Sequence, residues 1–170
     1  MTQTLYTIGY GSWPTKKRIA GMLDALEHNR VKSLVDIRHS PCASDPSASG
    51  NYSARDWNLQ AHGGIEEHLN SRGIEYRWIM ELGNPQKRDR EMKIMRAHLE
   101  SKDDRWPAVR GLRMLAEMVR DSELTFCLLC ACAEYGACHR HLVAEKLNAL
   151  YFSHALRTVD LTKSGATVVG

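Results

Sequence analysis

The chain has 170 residues, 43% of them apolar and 25% charged, with 23 basic against 20 acidic side chains and a formal net charge of +3. A chain of roughly 150 residues already buries about 68–70% of the surface its unfolded form exposes, so one core suffices and disulfides are not needed in place of packing. No apolar run approaches the roughly 20 residues that span a bilayer, and the opening Met1-Thr2-Gln3-Thr4-Leu5-Tyr6 lacks a basic region ahead of an apolar one, which predicts a cytoplasmic protein without membrane contact.

Leu5-Tyr6-Thr7-Ile8 is a short β-rich run stopped by Gly9-Tyr10-Gly11, and Ile19, Met22, Leu23 and Leu26 then form one helical stripe. Val31 to Ile37 predicts the second strand, nearly continuously apolar, as expected where both faces are covered. Ser40 to Asn51 reads as a loop, long enough to carry function. A helix around Gly64 to Ser71 follows, then a third strand from Ile74 to Met80, ended at Leu82-Gly83-Asn84. Gln86 to Lys93 alternates in charge sign, as a solvated helix face does. Two helices are expected over Asp89 to Glu100 and Val109 to Asp121, the second with Leu112, Leu115, Ala116 and Val119 on one side. Leu124 to Cys132 is the strongest strand, a helix runs from about Cys138 to Leu150, and a last strand covers Leu156 to Leu161. This alternation predicts a single α/β domain over residues 1–170, with a mostly parallel sheet and helices on both faces, a Rossmann-like three-layer sandwich.

Ligands of such sheets bind beyond the carboxyl ends of the strands. That rule selects Tyr10, Gly11 and Ser12 after the first strand, Asp36 and Arg38 at the second, and Cys132, Glu134, Cys138, His139 and Arg140 at the cysteine-rich one. The turn from Glu134 to Cys138 leads into a helix, whose unpaired N–H groups and dipole favour an anion and also a thiolate. Four of the five cysteines fall between Cys127 and Cys138. An odd cysteine count fits a reducing compartment rather than a disulfide framework. Cys127 and Cys130 read as packing within the strand and Cys42 as an incidental loop residue, which leaves Cys132 and Cys138 for chemistry.

Zinc is the competing use of these thiols. Cys127-x-x-Cys130-x-Cys132 followed by Cys138-His139-x-His141 supplies enough sulfur and nitrogen for four ligands. Zinc knuckles, however, pair their cysteines on a tight turn, and Leu128-Leu129 contains no residue to turn the chain. On a strand Cys130 and Cys132 share one face and Cys127 takes the other. No metal set is therefore assigned, a subset such as Cys132, Cys138 and His139 being the remaining metal option. Gly9-x-Gly11 lacks the third glycine of a dinucleotide fingerprint, no Gly-Lys-Ser or Gly-Lys-Thr loop is present, and Cys132 lies too far before Arg140 for a cysteine phosphatase loop. His62, Trp13, Trp57 and Trp78 read as ordinary loop or packing residues.

Five elements together carry a family resemblance: Tyr6-Thr7-Ile8-Gly9-Tyr10-Gly11, Leu34-Val35-Asp36-Ile37-Arg38-x-x-Pro41, Leu82-Gly83, Gly111-Leu112 and Cys132-Ala133-Glu134-x-x-x-Cys138-His139-Arg140. Over about residues 4–160 the chain resembles the domain of unknown function 488 family. Asn84 stands where many members have a second glycine, and Ala43 follows Cys42 where serines and basic residues are frequent. The resemblance implies a small α/β protein of bacterial type and carries over no activity.

The functional expectation is a small enzyme acting on an anionic substrate, such as a nucleotide, a nucleic-acid component or a phosphorylated metabolite. In it, Arg38 and Arg140 bind the anion beside Tyr10, Gly11 and Ser12. Cys132 or Cys138 serves as nucleophile or ligand, Glu134 or Asp36 as general base, and His139 as proton carrier or orienter. The alternatives are a non-catalytic nucleotide or nucleic-acid binding domain and a metal-binding interaction module. No cofactor or oligomeric state is indicated.

Overall fold

The structure, a computed structural model, describes residues 3–39, 64–85, 89 and 91–170. The expected loop at Ser40 to Asn51, with Cys42, and the residues Trp57 and His62 lie outside these, as does part of the charged stretch from Gln86 to Lys93.

Among the described residues six strands form one sheet: β1 (Gln3–Gly9), β2 (Ser33–Asp36), β3 (Glu75–Trp78), β4 (Phe126–Cys130), β5 (Leu156–Thr162) and β6 (Gly165–Val168). Their order across the sheet is β3-β2-β4-β1-β5-β6. All neighbours are parallel except β5 and β6, which pair antiparallel, Val159 opposite Val168. The expected α/β class with a mostly parallel sheet is what forms. The hairpin to β6 was not expected. It turns at Gly165, whose φ of 120° suits a residue without a Cβ.

Among the described residues five α-helices connect these strands: α1 (Arg18–His28), α2 (Ile65–Asn70), α3 (Lys93–Ser101), α4 (Pro107–Arg120) and α5 (His139–Tyr151). The helix expected from Asp89 starts later, at Lys93. The Asp89 carboxylate accepts the Ile94 N–H at 2.9 Å, and Met92 takes a left-handed φ of 54°. Asp89 thus acts as a cap ahead of the helix rather than as part of it. α4 opens on Pro107, where the missing N–H costs no intrahelical bond.

Alternation along the strands divides the core in two. Leu5, Val35, Ile37, Phe126 and Leu128 face α3, α4 and α5, packing against Met95, Leu112, Leu115, Leu142 and Leu147. Ile8, Leu34, Cys127, Leu129 and Leu161 face α1 and α2, packing against Met22, Leu23, Leu26, Ile65 and Leu69. Both halves are closely filled, so a truncation such as Leu128→Ala is expected to cost about 2–5 kcal/mol.

The topology fixes where a site can form. After β1 and β2 the chain crosses to the face of α1 and α2. After β4, which lies between them, it crosses to the opposite face through α5. Neighbouring connections that leave to opposite faces open a crevice at the strand carboxyl ends, here around the end of β4. Among the described residues no helix is long and apolar enough to cross a membrane.

Candidate functional site

Beyond β4 the chain runs from Ala131 to Cys138 before entering α5, and the end of β1 lies beneath it. A Cβ on Gly9 would overlap the Cys132 carbonyl, so only glycine lets the segment cross β1 this closely. The Gly11 N–H donates to the Ala131 carbonyl at 3.0 Å and extends this contact. Cys138 is the N-cap of α5, with extended backbone angles, and its N–H donates to Tyr135 O at 3.0 Å to close the turn.

This path gathers three thiols. The Sγ atoms of Cys130, Cys132 and Cys138 all lie within 4.8 Å of one another, with Cys130 and Cys132 4.0 Å apart. Cys130 and Cys138 are buried, whereas Cys132 is exposed, so the cluster reaches solvent on its Cys132 side. His139 completes the group. Its Nδ1 is 3.5 Å from the Cys130 sulfur and 3.9 Å from that of Cys138. Its Nε2 lies 2.7 Å from the Ile37 carbonyl. A carbonyl only accepts, so Nε2 carries the proton and Nδ1 presents a lone pair toward the sulfurs.

The electrostatics concentrate negative charge on one sulfur. Hydrogen bonds from the Cys130 and Cys132 thiols hold the Cys138 thiol far below its usual range, against the opposing effect of burial. Cys130 is pushed well up by its bonds to Cys132 and Cys138 and by burial. At Cys132 the bond from Cys130 lowers the value, but the bond to Cys138 and burial outweigh it and the thiol moves up. The first turn of α5 and the Arg140 guanidinium supply the compensating positive field.

Both arginines expected to bind an anion are engaged inside the protein. Arg140 is fully buried and donates to the Cys132 carbonyl at 2.8 Å, the Ala133 carbonyl at 3.3 Å and Asp160 Oδ1 at 3.3 Å. Thr7 adds a hydroxyl donor to Asp160 at 2.6 Å. Arg140 therefore positions the segment that carries Cys132. Arg38 donates to both Asp36 oxygens, Nε at 2.9 and 3.0 Å and Nη2 at 2.5 Å. Tyr76 donates to the same carboxylate at 2.6 Å. Although burial alone would lower the Arg38 pKa, Asp36 outweighs it and raises it. Burial and Asp36 together push the Tyr76 phenol far up. Asp36, expected as a general base, is thus the buried counter-ion of Arg38.

The remaining expected residues scatter around this centre. Tyr10 lies between Arg18 and Arg38, their guanidiniums 5.4 and 5.5 Å from its ring centre. Ser12 accepts the Lys163 N–H at 3.1 Å, at the turn between β5 and β6. Glu134 is exposed, and among the described residues no contact ties it to the thiols. Cys130 is the residue that sequence reasoning set aside. Its place on the same strand face as Cys132 was legible, but the strand ending at Cys130, which lets Cys132 turn back toward it, was not.

The family model described as a domain of unknown function, DUF488, matches residues 18–147, about three quarters of the chain. It includes Asp36, Arg38 and everything from Cys130 to Arg140, and leaves out the Tyr10-Gly11-Ser12 turn. Neither the curated proteins nor the solved structures give a match.

Proposed function

The chain belongs to the family of domain of unknown function DUF488, and we propose that it is a metal-binding protein whose Cys130, Cys132, Cys138 and His139 hold one thiophilic divalent ion, zinc by ligand chemistry. The observation that carries this reading is the convergence of three sulfurs within 4.8 Å with an imidazole nitrogen 3.5 Å from one of them. Zinc–sulfur bonds of roughly 2.3 Å at tetrahedral angles place sulfurs about 3.8 Å apart, and a nitrogen at about 2.0–2.1 Å then sits about 3.5 Å from each sulfur. The Cys130–Cys132 pair at 4.0 Å and the His139 Nδ1–Cys130 pair at 3.5 Å already stand near these spacings, and metal binding would draw the other sulfurs, up to 4.8 Å apart, and the imidazole inward.

Surrounding groups support the same reading. The Nε2 bond to Ile37 fixes the imidazole as backbone carbonyls commonly do for metal-bound histidines. Three thiolates and one neutral imidazole around a divalent ion leave one negative charge, which Arg140 and the start of α5 offset. A Cys3His set fills all four positions, so the ion clamps the crossing segment between β4 and α5. The commitment of Arg38 to Asp36, and of Arg140 to Asp160 and two carbonyls, weighs against their acting as an anion clamp.

Purified protein is expected to carry about one equivalent of zinc by elemental analysis and to lose stability when a strong chelator removes it. Cys132→Ser combined with Cys138→Ser should abolish the metal. Metal-free protein whose melting temperature ignores added zinc would refute the proposal.

A further inference from the structure

A second site lies away from the thiols, where the segment after β3 meets α3 and α4. A short 3-10 turn, Met80–Leu82, and the starts of both helices enclose a cavity of about 360 Å³. That is within the range of small-molecule pockets, roughly 300–1,000 Å³. Two close approaches build it. A Cβ on Gly83 would overlap the backbone of His39, and one on Gly111 would crowd Glu81 and Leu82. The glycines of Leu82-Gly83 and Gly111-Leu112 therefore let the turn seat against the end of β2 and against α4.

The wall is apolar and aromatic. Met80 and Trp106 line it while 48% and 40% exposed, and buried Met95 lies between them and the core. The Trp106 indole stacks on His98 with ring centres 3.8 Å apart and planes 6° from parallel, which holds it in one orientation. Leaving such a surface open to water is unfavourable unless something covers it. The acidic group in this wall, which His39, Asn84, His98 and Arg110 also line, is Glu81, half-buried, and among the described residues its carboxylate has no hydrogen-bond or ion-pair partner. The cation that lines the same cavity, Arg110, is held by its own loop, its Nη1 donating to the carbonyls of Asp104 and Arg105 at 2.7 and 3.0 Å.

We infer that this cavity is a binding site for a small organic cation with a flat apolar body, its positive group on Glu81 and its ring against Trp106 and Met80. A carboxylate beside an aromatic face within an apolar wall is the arrangement that selects a cation over its neutral or anionic counterparts.

The test uses three naphthalene probes of one size on the full, isotope-labelled chain: 2-(aminomethyl)naphthalene, 2-naphthalenemethanol and 2-naphthoate. Binding is followed by nuclear magnetic resonance at the Trp106 indole N–H and the Met80 and Met95 methyls. The amine is expected to saturate at least about tenfold more tightly than the alcohol and the carboxylate. Glu81→Gln should erase that preference while leaving the alcohol's affinity unchanged. Ala108→Trp, which fills the cavity from α4, should abolish binding of all three. Equal affinities, preference for the carboxylate, no saturable binding, shifts centred elsewhere, or an amine preference that survives Glu81→Gln would each overturn the inference.

Discussion

His139 donates from Nε2 to the Ile37 carbonyl at 2.7 Å, so the first residue of α5 is fastened to the chain just beyond β2. The same bond decides which nitrogen faces the sulfurs, because only the unprotonated Nδ1 can act as a ligand. His139→Ala removes both the ligand and the link. Zinc affinity should fall by at least about tenfold, the lower end of what losing even an outer partner of a metal ligand costs. Competition against a chromophoric chelator measures this, and an unchanged affinity would exclude His139 from the metal set.

The crossing of Cys132 over Gly9 gives a second expectation. Gly9→Ala forces a methyl into the Cys132 carbonyl and against the Arg140 guanidinium. Overpacking of this kind costs typically about 1–3 kcal/mol, and here it also moves the segment that presents Cys132. Stability and zinc affinity should therefore drop together. Gly136→Ala is the matched control: nothing lies within 4 Å of its added Cβ, and its effect should stay within about 0.5 kcal/mol. Denaturant unfolding of both variants, with zinc titrations alongside, separates a local clash from a general intolerance of this turn.

The Asp36, Arg38 and Tyr76 group predicts stability effects that metal does not rescue. Asp36 is fully buried and Arg38 only 7% exposed. Asp36→Asn leaves the guanidinium without its counter-charge, and breaking such a buried pair costs about 3–5 kcal/mol. Tyr76→Phe removes one hydrogen bond to the same carboxylate and should cost about 1–2 kcal/mol. Equilibrium urea unfolding with zinc in excess reads both. An Asp36→Asn protein as stable as the parent would show that the pair carries no net stability.

Thiol reactivity should follow exposure and metal. With zinc bound, iodoacetamide is expected to leave Cys130, Cys132 and Cys138 largely unmodified. After chelation Cys132 should react first, because its side chain alone among the three reaches solvent freely. Cys127 should stay unmodified in either state, since it is fully buried and burial pushes its thiol well up. Peptide mapping after timed alkylation gives the order. Equal labelling of Cys132 before and after chelation would argue against its ligating a metal.

Most of the fold was legible because β1 to β5 announce themselves by composition, whereas β6 (Gly165–Val168) does not. The apolar run from Leu34 to Ile37 and the stripe of Leu112, Leu115, Ala116 and Val119 each admit one geometry. The positions of Cys132, Cys138 and His139 followed from the strand-end rule alone. Within the site, two things were not legible. The first was that Cys130 joins the cluster, since this depends on β4 stopping at Cys130 rather than continuing to Cys132, a boundary set by the crossing over Gly9. The second was the fate of charge. Arg38 and Arg140 read as free cations in one dimension, and only the fold shows Asp36 and Asp160 facing them. Asp160 lies 20 residues beyond Arg140, on a strand that no local pattern pairs with it.

The central claim is the ligand set, and X-ray absorption at the zinc edge of the purified, reduced protein tests it most directly. The account predicts a first shell of three sulfurs at about 2.3 Å and one nitrogen at about 2.0–2.1 Å. One of the sulfurs should be lost in Cys130→Ser, the residue whose inclusion rests on the fold rather than the motif. A shell of oxygen and nitrogen only, or a sulfur count unchanged in Cys130→Ser, would contradict it.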